Sequence, residues 1–364
     1  MFSSCARMVL FLGIMVVSVG IVNAVCPCRD PSWCNPINNT SGKEVFMFSR
    51  PNDQATWKRY DWSRLTTVAM VGYISHDVMC YAHQHNARAV ILADFSTADL
   101  LSASKRQAWI QTQLNTVRSN YLDGINIDFE GQIPRTRTDL RDGLNSLLKE
   151  ASAAFRQALP HSQVTIDVPY GPNCVYNRCY DYKTLANYVD FFFVMDYDEG
   201  GGQYAGANSD YQKTRNGMRD YVAIVPADKL VLGVPWYGYK YACYNVTQDG
   251  RCSVNRGIKV RSYKFKDIIE LQKQTHSVRS WDTNARSPYF TYKDPASNIQ
   301  YQVWYDDVQS LSLKYMVASQ YNLRGVGAWY ADCLDYTDAA EPNRLRLAMW
   351  NAMPITSSSG TIIG

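Results

Sequence analysis

Short apolar, β-branched runs alternate along this chain with longer runs of helical period. The candidate strands are EVFMFS (44–49), TTVAMVGY (66–73), RAVILAD (88–94), GINIDFE (124–130), QVTIDVPY (163–170), DFFFVMDYD (190–198), LVLGVPWYG (230–238) and GVGAWYAD (325–332). Between them, residues 98–120 and 137–159 repeat apolar positions at three- and four-residue intervals, the mark of an amphipathic helix. Strands that alternate with helices predict a parallel sheet of the α/β class. Eight of them predict a (β/α)8 TIM barrel, with a doubly wound sheet as the alternative. The stretch 239–308 is too long for a single helix. Residues 262–274 have helical period, whereas 287–294 and 299–307 alternate like short antiparallel strands. They predict a small α+β insertion between strand seven and helix seven, which follows at 308–323. No repeat, low-complexity linker or second module interrupts 25–364, which is expected to form one catalytic barrel.

The amino terminus changes the picture of the compartment. Arg7 precedes the apolar run MVLFLGIMVVSVGIV, and small Ala24 follows as a cleavage position. The run falls short of the ~20 residues a membrane span needs, so 1–24 is expected to be a signal peptide. No membrane attachment is expected after its removal. Entry into the secretory route favours disulfides. Cys174 with Cys179 and Cys243 with Cys252 flank short loops and are expected to pair locally. Cys26, Cys28, Cys34 and Cys80 can supply two further bridges of unspecified connectivity, which leaves Cys333 unpaired and buried. The CPC spacing lacks the second Cys/His cluster of a zinc site, so no metal or cofactor is expected. NNTS offers glycosylation acceptors at Asn38 and Asn39, and NVT offers Asn245. A net charge of +4 without a block of like charges argues against a nucleic-acid partner. A monomer is expected. The 26 tyrosines and 9 tryptophans provide flat rings suited to sugar faces as well as to a core.

The chemistry concentrates in the fourth strand. Asn126, Asp128 and Glu130 alternate with Ile125, Ile127 and Phe129, so the polar groups share one face. A parallel strand is covered on both sides, and burying ionised carboxylates costs several kcal/mol. Glu130 also ends the strand, where barrel enzymes place their catalysis. Two carboxyls ~6–7 Å apart on one face ionise unequally, since one charge raises its neighbour's pKa. A protonated carboxylic acid in a cleft can donate to a leaving oxygen, as glycoside hydrolysis requires. Asp128 comes from the same strand, one layer deeper, and is poorly placed to attack the opposite sugar face. The nucleophile can then come from the substrate.

LDGINIDFE (122–130) resembles the active-site signature of glycoside hydrolase family 18, the chitinases and related β-N-acetylglucosaminidases. MDYD (195–198), GAWYAD (327–332) and YDD (305–307) resemble three further motifs of that family. The resemblance implies a retaining, substrate-assisted glycosidase acting on β-1,4-linked N-acetylglucosamine oligosaccharides. It implies Glu130 as acid and base, Asp128 as acceptor for the acetamido N–H, and Tyr197 as the group that aligns the acetamido oxygen. Asn126, Met195 and Asp198 would border the sugar, and Trp329 would form its floor. Trp236, Tyr237 and Trp304 are further sugar-contacting candidates. Asn126 departs from the commoner Asp and removes one charge below Asp128. Asp123, of opposite parity, is expected to be structural. The compact form and Cys-rich start resemble a lysosomal branch of that family, and this resemblance implies the reducing-end chitobiose core of free asparagine-linked glycans as substrate, with the lysosome as destination and secretion as the alternative. An endo-chitinase remains open, as does a chitinase-like lectin that binds without cleaving.

Overall fold

The structure is a computed structural model that describes residues 25–38, 42–50, 52–356 and 362–363. The expected signal peptide and the acceptor Asn39 lie outside the described residues. Strands β1 (Glu44–Ser49), β2 (Thr67–Met70), β3 (Arg88–Asp94), β4 (Gly124–Asp128), β5 (Gln163–Pro169), β6 (Phe191–Met195) and β7 (Leu230–Pro235) come first. Six strands of an insertion follow: β8 (Tyr237–Val246), β9 (Cys252–Val254), β10 (Arg261–Lys264), β11 (Ser280–Asp282), β12 (Ser287–Lys293) and β13 (Gln300–Trp304). Strand β14 (Gly325–Trp329) then closes the parallel barrel between β7 and β1. This is the (β/α)8 architecture with its α+β insertion. Among the described residues no helix is long and apolar enough to cross a membrane.

Helices pack outside the sheet as their periodicity requires. In Thr138–Ala158 the buried positions include Leu140, Leu144, Leu147, Leu148, Ala151 and Phe155, one stripe along the helix. Inside, the rings of Phe46, Phe48 and Phe193 stack edge-on or tilted at 5.0–5.4 Å. Glycines make room for them: a Cβ on Gly233 would stand 2.1 Å from Cζ of Phe193, and one on Gly327 would stand 2.2 Å from the Phe46 carbonyl oxygen.

Several boundaries differ from the sequence reading. β4 stops at Asp128 and β6 at Met195, so Glu130, Tyr197 and Asp198 lie on the turns beyond. The seventh strand ends at Pro235 and the insertion begins at Tyr237, two residues early, where Tyr237 and Tyr239 take antiparallel partners in Lys264 and Trp304. Residues 262–264 pair with β8 as part of β10, so the helix starts only at Phe265. Asp307 caps the helix Val308–Gln320 in a capping box with Ser310. Its neighbour Asp306 forms a buried ion pair with Lys314 on that helix.

Four disulfides join Cys26 to Cys34, Cys28 to Cys80, Cys174 to Cys179 and Cys243 to Cys252, and Cys333 is free and buried. The sulfurs of Cys26, Cys28 and Cys34 lie close together, but all three are engaged in these bonds. The amino-terminal segment is thereby tied to the helix His76–Gln84 that carries Cys80. Buried Asp123 reinforces the tie: it accepts the N–H groups of Ile37 (2.9 Å) and Ala89 (2.7 Å) and pairs with Nε2 of His83 (2.7 Å). Asn38 and Asn245 are exposed.

The Cys28–Cys80 bond closes a segment of separation 52, against 8 for Cys26–Cys34. Loop-closure entropy then stabilises the fold by up to ~4 kcal/mol for the first and ~2.5 kcal/mol for the second. Cys28→Ala/Cys80→Ala should therefore unfold at a lower denaturant midpoint than Cys26→Ala/Cys34→Ala. Equal midpoints in the two double variants would exclude loop length as the cause.

Candidate active site

The polar face of β4 runs from buried to open. Asn126 is fully buried, Asp128 is partly buried, and the Glu130 side chain is 52% exposed at the barrel mouth. Phe129 anchors the turn between them. Its ring is buried beside Tyr180, whose hydroxyl donates to the carbonyls of Phe129 (3.1 Å) and Gly131 (2.7 Å). The last acid is therefore carried on a braced turn, not on a free loop.

The neighbours of these groups decide their ionisation. Asn126 donates through Nδ2 to Thr165 Oγ1 (3.0 Å) and to Asp167 Oδ1 (2.9 Å) on β5. The β4–β5 register pairs Ile127 with Ile166, so Asp167 is the cross-strand neighbour of Asp128. The carboxyl group that Asn126 lacks is thus supplied by the adjacent strand. Burial, then the charges of Glu130 and Asp94, push Asp128 up to about 7, against the opposing pull of Arg178. Burial first, then Asp128, hold Asp167 well above the carboxylate range. Oδ1 of Asp128 is buried and has no hydrogen-bond partner among the described residues. Glu130 also has a cationic partner that the sequence does not reveal, because Nη2 of Arg178 donates to its Oε2 in a short contact.

β6 and β14 bring the remaining candidates to the same end of the barrel. Met195 and Tyr197 are buried, and burial followed by the charges of Asp167 and Asp128 raises the Tyr197 phenol far above its usual value. Trp329 is partly exposed and rests edge-on upon Phe48 at 4.9 Å. Asp198 accepts the hydroxyls of Tyr237, in a short contact, and of Tyr239 at 2.6 Å. A cavity of about 560 Å³ opens here, lined by Arg50, Asp198, Tyr237, Tyr239, Lys264 and Trp329 among others. That volume suits a small saccharide.

Two sugar-contact candidates are corrected. Trp236 is fully buried with its ring edge-on to Trp350 at 5.2 Å. It follows Pro235, the register partner of Trp329, so its parity sends it to the helix layer behind the sheet. Trp304 is buried in the insertion's own core, stacked on Tyr289 at 4.6 Å with Nε1 donating to Gln302. Two residues escaped the sequence reading. Asp167 shares the parity of Thr165 in VTIDV, and a lone acid in an apolar strand is its signal. Arg178 sits inside the Cys174–Cys179 loop, and only the bond's position near the strand ends could have pointed to it.

The raised groups also set how stability varies with pH. A carboxyl whose folded pKa lies above its unfolded value contributes stability below the unfolded value and loses it as pH rises through the folded one. Asp128 at about 7 and Asp196, raised by burial to about 6, both act in this sense. His83 adds to it: burial, the largest single cause, lowers its pKa, but the hydrogen bond and charge of Asp123 and the Trp33 carbonyl together raise it by more, and the net shift is upward. Exposed Asp139, lowered to about 2 by its hydrogen bond with Arg137, acts only below this window. The thermal midpoint should therefore be highest near pH ~4–5 and fall toward neutrality, and Asp128→Asn should flatten the fall. Circular-dichroism melts across pH test this; a midpoint that climbs steadily to neutral pH contradicts it.

With this geometry in place, comparison with known proteins is informative. Residues 91–333 match the family model for glycosyl hydrolases family 18. Di-N-acetylchitobiase of Homo sapiens is 40% identical over 342 residues, which cover 90% of this chain and 88% of that protein. The Mus musculus di-N-acetylchitobiase is 38% identical over 342 residues, with 90% and 92% covered. Among solved structures, a class V chitinase from Nicotiana tobaccum in complex with NAG4 superposes with a TM-score of 0.71 at 15% identity, covering 85% of this chain and 98% of that one. A Chromobacterium violaceum chitinase gives 0.68 at 19%, covering 85% and 97%. The solved structures share the fold. The family match and the identity to the chitobiases go further, and the carboxyl-lined mouth of the barrel accords with them: this chain is an enzyme that belongs to glycoside hydrolase family 18.

Proposed function

We propose that the enzyme hydrolyses the β-1,4 bond of the reducing-end di-N-acetylchitobiose core of free asparagine-linked glycans, using the substrate's 2-acetamido group as nucleophile. The observation that carries this reading is the buried, unpartnered Oδ1 of Asp128. A buried acceptor without a donor is costly, and an acetamido N–H arriving beside Glu130 supplies one. Accepting that hydrogen bond makes the acetamido oxygen the better nucleophile, so a cyclic oxazolinium forms in place of a glycosyl-enzyme; family 18 is an exception of this kind to the two-carboxylate scheme. Glu130 protonates the glycosidic oxygen and then activates water. Tyr197 aligns the acetamido oxygen, and Trp329 supports the sugar ring. The identity to chitobiases supports the substrate, and the presence of Glu130 argues against a lectin. Four disulfides suit an oxidising route of synthesis, and the lysosome is the proposed destination, reached after cleavage of residues 1–24.

Three outcomes are expected. With chitooligosaccharides labelled at the reducing end, the enzyme should release one terminal sugar, initially as the β anomer by proton NMR. Mixed internal cuts would favour an endo-chitinase, while an α product, or efficient cleavage of a plain β-glucoside, would sink the assisted mechanism. Glu130→Gln should lose ~10²–10⁴-fold in turnover, the share of general acid catalysis, while still binding substrate. Normal turnover in that variant would remove Glu130 from the role. The Asp128–Glu130 pair must hold a proton to react, so kcat/KM should fall as pH rises through about 7, where Asp128 ionises. A rate still rising above that point would contradict an acid drawn from this pair.

A further inference from the structure

The mechanism asks Glu130 to give up a proton and later take one back, yet half of its side chain is exposed and free to rotate. One oxygen is nevertheless held. Arg178, whose side chain is only 12% exposed, donates from Nη2 to Oε2 and leaves Oε1 outside that contact. The guanidinium is braced in turn. It lies over the Tyr176 ring at 5.7 Å, and the Tyr176 hydroxyl donates to the Asp198 carbonyl at 2.7 Å. The Arg178 carbonyl accepts the Tyr182 hydroxyl at 3.1 Å.

The loop that delivers Arg178 is built at a cost. Cys174, Tyr176 and Asn177 all adopt left-handed backbone conformations, with φ of 58°, 53° and 63°, and none is glycine. Such residues persist only where their surroundings over-determine them, and they gather at functional sites. Here the constraints are explicit. The Cys174–Cys179 bond closes the loop. Ile133, just beyond the acid's own turn, donates its N–H to the Asn177 carbonyl (2.9 Å) and accepts the Cys179 N–H (3.0 Å). The turn after β4 and the turn after β5 are thus stapled together on either side of the Glu130–Arg178 pair.

We infer that Arg178, presented by the disulfide-closed loop 174–179, is the positioning residue of Glu130: it fixes which oxygen carries the proton and stabilises the carboxylate left once that proton is given. This rests on the glycosidase reading and deepens it. In the first step the Oε1–H bond breaks and the proton passes to the glycosidic oxygen, while the 2-acetamido oxygen bonds to the anomeric carbon as the bond from that carbon to the glycosidic oxygen breaks. The bonding pair stays on the leaving oxygen, and the Glu130 carboxylate remains paired with Arg178. In the second step water bonds to the anomeric carbon and gives a proton to Glu130, as the bond from that carbon to the acetamido oxygen breaks and its electron pair returns to the acetamido group. A cation on Oε2 favours the state after transfer, so its benefit is greatest where the leaving group needs a proton most.

That dependence provides the test. Wild-type enzyme, Arg178→Gln, Arg178→Lys and Cys174→Ser/Cys179→Ser are assayed on di-N-acetylchitobiose, whose leaving group is a sugar, and on the dinitrophenyl β-glycoside of N-acetylglucosamine, whose leaving group departs unprotonated. Arg178→Gln should lose about 10²-fold in kcat/KM on the disaccharide and change little on the aryl glycoside. Arg178→Lys, a cation without the planar fork, should recover part of the loss, and the double serine variant should show the same selectivity. Equal losses on both substrates, or no loss on the disaccharide, overturn the inference. Should the glutamine variant not fold, the lysine variant carries the same comparison. A wild-type enzyme that cleaves neither substrate overturns the glycosidase reading itself, and the two failures are distinguishable.

Discussion

Burial of acidic side chains without matching cations is the constraint on which the mouth of the barrel depends. Asp167 is enclosed with an amide donor from Asn126 as its hydrogen-bond partner, and Asp128 beside it faces a second carboxyl across the strands. Low polarity and like charge act in the same direction, and both keep protons on these groups. Only Glu130, furthest toward solvent, has a guanidinium. The site is therefore graded, from neutral acids below to a compensated acid at the surface. Removing the gradient by adding cations at depth would relieve the cost and also discharge the groups that hold the protons.

The rest of the barrel makes that gradient geometrically possible. Aromatic rings fill the interior beneath Trp329, and glycines on β7 and β14 admit Phe193. The packed base excludes water from the carboxyl layer. Where the strands end, turns take over, and each is pinned: Tyr180 holds the one after β4, and a disulfide holds the one after β5. Rigid support of this kind is what pre-organised donors require.

Much of this was legible in the residues. Short apolar, β-branched runs separated by helical ones located every barrel strand, because a parallel strand covered on both faces needs apolar side chains along its length. Parity along β4 identified Asp128 and Glu130, and loop length identified the two local disulfides. The failures share one origin: they concern contacts between segments distant in sequence. Trp236 looked like a cleft residue because it follows a barrel strand, yet parity turns its ring outward against Trp350 on a distant helix. Residues 262–264 looked helical until β8 offered them a strand partner. Arg178 lies 48 residues from Glu130, and no local pattern encodes that pairing.

The tyrosines around Asp198 have one more consequence. Tyr237 and Tyr239 line the cavity, but their hydroxyls are committed to the Asp198 carboxylate, and that of Tyr176 to its carbonyl. What this wall presents to a guest is ring surface and ring edge, with its polar tips already engaged. Ring surface meets the C–H face of a pyranose and is largely indifferent to the hydroxyls at the rim. On the proposed function, discrimination among epimers would therefore fall to charged side chains such as Arg50, Arg261 and Lys264 that share the cavity lining, and to the ionisable groups at the barrel mouth, while the aromatic wall would supply grip without selectivity.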